Sequence, residues 1–225
     1  MPAFWFSRKI WKSWLDWLFP RYCLGCGAVG TLGCVHCLAS VPLLPANAVS
    51  RLSGMDEVWA GFAYAQPILK RLIRGWKYES WHEVAPAIVS LVDRWALAHG
   101  AALVPEGVLV VSVPLHPLRR QERGFNQAEV ISVALASTLE LEHDASALRR
   151  TRYNTPQART HDRTAIGGTS LFVADPVRVR GRVILLCDDV LTTGATAREA
   201  VSALKSAGAA QVLVFALAWS GRDLN

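Results

Sequence analysis

Three groups of residues in this chain have types and spacings that could do chemistry. Cys23-Leu24-Gly25-Cys26 and Cys34-Val35-His36-Cys37 are two C-x-x-C pairs with seven residues between them. Four thiolates so spaced suit a closed tetrahedral Zn²⁺ site; two disulfides or four free thiols are the alternatives. His36 lies inside the second pair and could replace a cysteine, although four sulfurs already fill the shell. Asp188 and Asp189 end the apolar run "RVILLC" and precede Thr192-Thr193-Gly194-Ala195-Thr196. Successive backbone N–H groups entering a helix, with threonine hydroxyls beside them, can cradle a phosphate. Ionised carboxylates repel phosphate unless they accept hydrogen bonds, and the 2′- and 3′-hydroxyls of ribose are donors of suitable reach. A phosphorylated ribose therefore satisfies both halves of the motif. An acidic strand end before a Thr-capped helix is the plainer alternative. No lysine of the G-x-x-x-x-G-K-[ST] kind stands in the loop, which excludes an ATPase P-loop.

The third group is Arg119, Arg120 and Arg123, three permanent cations in "PLRRQERGF". Asn126 and Glu129 follow at capping-box spacing. Cations beside a helix start suit a second anion such as pyrophosphate; a solvated basic loop is the alternative. A further basic segment, "LRRTRYNTPQARTHDR" (148–163), reads as a mobile loop that could close over a reacting pyrophosphate and exclude water. Gly25-Cys26-Gly27-Ala28-Val29-Gly30 matches G-x-G-x-x-G, but no apolar strand precedes it, so it is not a dinucleotide fingerprint.

Apolar strands are predicted near 58–65, 108–113, 182–187 and 211–218. They alternate with helices near 67–78, 82–99, 126–141 and 195–207. That order predicts an α/β fold with a parallel sheet covered on both faces. In such sheets ligands gather at the carboxyl ends of the strands, where the two acids and the arginine cluster fall. Cys187 ends a strand and reads as core. On the helix 67–78, Lys70, Arg74 and Lys77 fall at i, i+4 and i+7, opposite Leu69, Leu72, Ile73 and Trp76. With Tyr78 and Trp81 as stacking platforms, this stripe is the candidate nucleic-acid surface; a solvated helix face is the alternative.

Phe4, Trp11, Trp14, Leu15 and Leu18 recur at helical spacing before Pro20. They predict an amphipathic helix over 1–20, either a lid on the protein's own core or a membrane-surface or partner helix. The cysteine module is placed at 21–50 and the α/β domain at 51–225. With 225 residues, 52% of them hydrophobic, the chain suffices for one sizeable core and a small module. No run of eighteen apolar residues occurs, so no transmembrane helix is expected. Arg8, Lys9, Lys12 and Asp16 interrupt what a signal peptide would keep apolar. A cytoplasmic protein is expected, with a membrane-peripheral placement left open by the first helix. The net charge of +6 favours anionic partners.

"ILLCDDVLTTGAT" resembles the motif by which type I phosphoribosyltransferases bind 5-phosphoribosyl-1-pyrophosphate (PRPP). The resemblance gives Asp188 and Asp189 the ribose hydroxyls, and Thr192, Thr193, Gly194, Ala195 and Thr196 the 5′-phosphate. With the paired cysteines, "LIRGWKY", "SVPLHPLRRQERGFNQAE" and "RTRYNTPQ" in that order, the chain resembles the ComF/GntX family. That implies a type I phosphoribosyltransferase fold with a small N-terminal four-cysteine zinc module. It also implies PRPP as the ligand. A bound Mg²⁺ would relieve the charge of the two acids; Asp188, Asp189 and Arg123 are the catalytic candidates, and Arg119, Arg120 and Arg123 the candidates for holding the pyrophosphate. The family is linked to natural competence, DNA uptake and the handling of internalised single-stranded DNA, with other competence proteins as partners. Two function classes follow: a transferase moving ribose 5-phosphate to an unidentified acceptor, or a catalytically inactive PRPP- or nucleotide-sensing module that binds single-stranded DNA. One departure stands out. Where the family follows an arginine with asparagine, Arg163 is followed here by Thr-Ala-Ile-Gly.

Overall fold

The computed structural model describes residues 20–46, 48–49, 52, 54–78, 82–150 and 172–221. The aromatic helix expected over 1–20, Trp81 and the basic segment beyond Arg150 up to residue 171 lie outside them. No helix among the described residues is long and apolar enough to cross a membrane.

Five strands form one parallel sheet: β1 (Glu57–Ala63), β2 (Leu109–Ser112), β3 (Glu142–His143), β6 (Val183–Leu191) and β7 (Gln211–Trp219). Their order is β1-β7-β6-β2-β3. Alternate residues enter opposite layers: Ile184 and Leu186 of β6 pack on one side, Leu185 and Cys187 on the other, all fully buried. Burial on both faces is why these strands read as continuous apolar runs. One layer holds α2 (Pro67–Tyr78), α3 (Ala85–Trp95) and α5 (Gln127–Thr138), which contribute Leu72, Leu91, Trp95 and Leu135 to the core. The other holds α7 (Ala195–Ser206), with Ala200 and Leu204 buried. A short antiparallel ribbon, β4 (Leu148–Arg150) with β5 (Phe172–Ala174), joins that second layer, and α6 (Pro176–Val179) follows it. Strands of three residues are too short to show a period, and the sequence reading missed the ribbon.

Two further elements differ from expectation. The basic stretch after β2 is helical as α4 (Pro117–Arg123): Pro117 stands at its first turn, the His116 side chain accepts the Leu118 N–H at 3.3 Å, and Gly124 at φ 77° ends it. Strand β6 runs on past Cys187 through both acids to Leu191, because β7 pairs with it residue by residue as far as Trp219. The α5 start is where the sequence placed it, but only half of the capping box forms. Asn126 accepts the Ala128 N–H at 3.2 Å and donates to the Val113 carbonyl at 3.1 Å, while the Glu129 carboxylate turns instead to Arg120 at 3.1 Å.

The connectivity opens a crevice. After β2 the chain passes through α4 and α5 on one face and continues outward to β3. After β6 it passes through α7 on the opposite face and turns back to β7. The loops leaving β2 and β6 therefore part at the carboxyl end of two neighbouring strands, the position where open α/β sheets bind ligands.

The cysteine segment, with α1 (Val35–Ala39), packs on the α2–α3 layer through Cys23, Leu38 and Val41. Two arginines tie it down. Arg94 donates to the carbonyls of Leu38 and Val41, each at 2.6 Å, and Arg71 donates to Leu24 at 2.6 Å.

Candidate functional site

Strand alternation settles where the two acids point. Asp188 has the parity of Ile184 and Leu186 and faces the α7 layer; Asp189 has the parity of Leu185 and Cys187 and faces the α2 layer. Asp188 lines an open pocket of about 260 Å³, mouth included, with Leu191, Thr192, Thr193, Gly194, Ala195 and Thr196. Gly194, at φ 71° and ψ 8°, is the N-cap of α7 and supplies no capping side chain. Among the donors of the first turn, the Ala195 N–H reaches only the Thr193 hydroxyl, at 3.4 Å. A twelve-residue helix thus presents its positive end to the pocket without a side-chain cap. Glycine suits position 194 because its φ is left-handed; a Cβ there would also press on Leu52 Cδ1 at 2.9 Å, the movable end of a side chain.

Burial and the neighbouring Asp189 carboxylate push the Asp188 carboxyl up to about 7. The Asp189 N–H, donating to Asp188 Oδ1 at 2.8 Å, works the other way, as do Lys77 and Arg150. Asp189 is 9% exposed and its Oδ1 accepts a hydrogen bond from Lys77 Nζ at 2.8 Å. That contact corrects the assignment of Lys77 to a separate nucleic-acid stripe. Lys70 and Arg74 do lie exposed on α2, but Lys77 at its last turn belongs to the acidic pair. It reaches there because α2 starts beside the carboxyl end of β1 and ends beside that of β6, so the helix runs across the sheet edge. Its length of about 18 Å easily spans two strand spacings of about 4.8 Å each.

The three arginines separate. Arg119 stands near Arg150, and Arg150 near Asp188. Arg120 is mostly exposed and paired with Glu129, and Arg123 donates to Gln127 Oε1 at 3.3 Å. Gln127, 1% exposed, passes the contact on by donating to the Trp76 carbonyl at 3.3 Å. Sequence reasoning left Arg150 in a basic loop. In the structure it closes β4, with its guanidinium 5.3 Å from the Phe172 ring centre and its Nε buried without a hydrogen-bond partner among the described residues. Burial and Arg119 hold Arg150 below the usual arginine range, against the pull of Glu199 and Asp188. No local signal distinguishes Arg150 or Lys77 from their exposed neighbours, because both roles come from contacts far apart in sequence.

Among the described residues, the only group of three or more His, Cys, Asp or Glu side chains close enough to share a cation is Cys23, Cys26, Cys34 and Cys37, whose sulfurs lie within 4.8 Å of one another. Cys26 and Cys34 sulfurs are 3.7 Å apart, close to the edge of about 3.8 Å of a tetrahedron with Zn–S bonds of about 2.3 Å. The Cys23 sulfur accepts N–H bonds from Gly25 at 3.4 Å and Cys34 at 3.3 Å. Desolvation raises the Cys23 thiol, but backbone N–H donors from Cys34, Cys26 and Gly25 outweigh it and lower it to about 6. Hydrogen bonding to Cys34 and Cys26 raises Cys37 to about 12. Four sulfurs crowded together without a cation cannot all ionise, and a divalent metal relieves that conflict. Gly25 is needed for space rather than for a turn, since a Cβ there would lie 2.7 Å from Cys37 Sγ. His36 is exposed and outside the group. Cys187 is core, and burial pushes its thiol up. Among the described residues, Asp188 and Asp189 belong to no group of three or more such side chains.

The phosphoribosyl transferase domain family matches residues 126–223, a span that includes Asp188, Asp189 and the turn from Thr192 to Thr196. DNA utilization protein YhgH of Escherichia coli (strain K12) is 34% identical over 159 residues, 68% of either chain. YhgH of Salmonella typhi is 31% identical over 152 residues, 67% of each, and competence protein F of Haemophilus influenzae is 29% identical over 162 residues, 69% of each.

Proposed function

Because this chain belongs to the ComF/GntX family of DNA utilization and competence proteins, we propose that it binds PRPP, or a ribose 5-phosphate nucleotide, in the service of DNA uptake and use. The observation that carries the reading is the pocket shared by Asp188 and the uncapped α7 start. The N–H groups at Gly194, Ala195 and Thr196 take the 5′-phosphate, with the hydroxyls of Thr192 and Thr193 beside them. Asp188 and Asp189 accept from the ribose hydroxyls. Arg150, near Asp188, and Arg119, near Arg150, face a pyrophosphate on C1′. Arg123 holds the start of α5 through Gln127. Mg²⁺ carried in with PRPP would offset the charge of the pyrophosphate. Pyrophosphate release that depends on an added acceptor separates a transferase from a protein that only senses the ligand.

Structural Zn²⁺ belongs to the same reading, held by Cys23, Cys26, Cys34 and Cys37. The exposed Lys70 and Arg74 on α2 give single-stranded DNA a basic path beside the site.

Calorimetry with Mg²⁺ present should show PRPP binding, weakened about tenfold or more in Asp188→Asn/Asp189→Asn by loss of charge-assisted hydrogen bonds. An Asp188 carboxyl raised to about 7 offers a hydroxyl a charged, and so stronger, acceptor only once it has lost its proton. Affinity should therefore rise between about pH 6 and about pH 8 and level off above, with a smaller slope in Asp188→Asn. Equal affinity in the double variant would refute the ribose assignment.

Elemental analysis of protein made without added metal should return one zinc per chain, and folded protein with almost none contradicts the metal assignment. Fluorescence anisotropy with a labelled oligonucleotide should show affinity falling steeply with salt and weakening in Lys70→Glu/Arg74→Glu. Wild-type protein that ignores the oligonucleotide at low ionic strength removes the DNA surface.

A further inference from the structure

Lys77 is the residue that the ribose-phosphate reading leaves over. Its ammonium lies 2.8 Å from Asp189 Oδ1, and the two side chains are 20% and 12% exposed. The residues are 112 apart in sequence, so the pair is a product of the fold. It is also held in place from three directions. Trp76, its neighbour, is fully buried and its carbonyl is taken by Gln127 at the start of α5. Leu72 and Ile73 anchor α2 in the core, and Arg71 fastens the same helix to Leu24 of the cysteine module. A lysine on a helix so fixed is a standing feature of the site rather than a surface side chain passing by.

An ammonium offers three donors. Among the described residues Lys77 gives one, to Asp189. The carboxylate keeps its second oxygen for an incoming hydroxyl, so Lys77 and a ribose diol can be held together. The ammonium also supplies positive charge beside two adjacent acids that must tolerate a phosphate nearby. In many phosphate sites a divalent ion provides that charge.

We propose that Lys77 is a positioning residue and the resident cation of this site, fixing Asp189 for the ribose hydroxyls so that a ribose 5-phosphate monoester binds without a divalent metal. The metal is then needed only for the pyrophosphate of PRPP. The inference rests on the ribose-phosphate reading and deepens it: the ribose 5-phosphate nucleotides of that reading bind without the metal, and the 2′-hydroxyl counts.

The test is calorimetry of ribose 5-phosphate against the full-length protein, in EDTA and in Mg²⁺. Wild type should bind with affinities within about twofold of each other in the two buffers. Lys77→Met should bind about tenfold more weakly in EDTA, the loss expected for one charged hydrogen bond, and regain part of it in Mg²⁺. Lys77→Arg should keep metal-free binding. Wild-type binding that requires Mg²⁺ overturns the proposal whatever the variants do. So does a Lys77→Met protein that matches wild type in EDTA, or one weakened equally in both buffers, which marks a structural role alone. No binding by wild type even with Mg²⁺ removes the ribose-phosphate reading itself, and the Lys77 assignment with it.

Discussion

Two carboxylates in adjacent positions repel one another, and β6 carries such a pair at Asp188 and Asp189. Because successive strand residues point to opposite faces, these two cannot share one solution. Asp188 turns toward the turn from Thr192 to Thr196, where the Asp189 N–H and nearby Lys77 and Arg150 favour its charged form against the effect of burial. Asp189 turns to the other layer, where Lys77 meets it directly. Leaving such a group without a partner costs several kcal/mol in a site this enclosed. Much of the surrounding architecture follows from that constraint: α2 crosses the strand ends to bring Lys77 in, and β4 ends in an arginine beside Asp188.

The same helix couples the site to the cysteine module. Arg71 of α2 and Arg94 of α3 bind backbone carbonyls at Leu24, Leu38 and Val41. Ile68, on the first turn of α2, stands within contact distance of Gly25 between the first two cysteines. A metal that orders the four sulfurs would thereby fix the layer on which Lys77 rides. The module therefore braces α2 and α3, the helices beside Asp189.

Much of this was legible in the sequence because it is local. The strand–acids–T-T-G-x-T order, the two C-x-x-C pairs and the Asn126 helix start each announce themselves within a short stretch of chain. The buried parallel strands do so through apolar runs. What the sequence concealed is long-range. Lys77 sits at regular helical spacing with Lys70 and Arg74 and differs from them only because α2 ends over β6. Arg150 looked like one cation among several until β5 set Phe172 against it. Strand β6 outran its apolar run because pairing with β7, not hydrophobicity, carries it to Leu191. Glu129 fitted a capping box on spacing, yet a guanidinium on the preceding helix competes for it.

The most direct test is a crystal structure with ribose 5-phosphate bound. The phosphate should lie on the N–H groups of Gly194, Ala195 and Thr196, with the sugar hydroxyls on Asp188 and Asp189 and Lys77 still on Asp189. A phosphate seated instead among Arg119, Arg123 and Arg150, with both acids untouched by the sugar, would contradict the account.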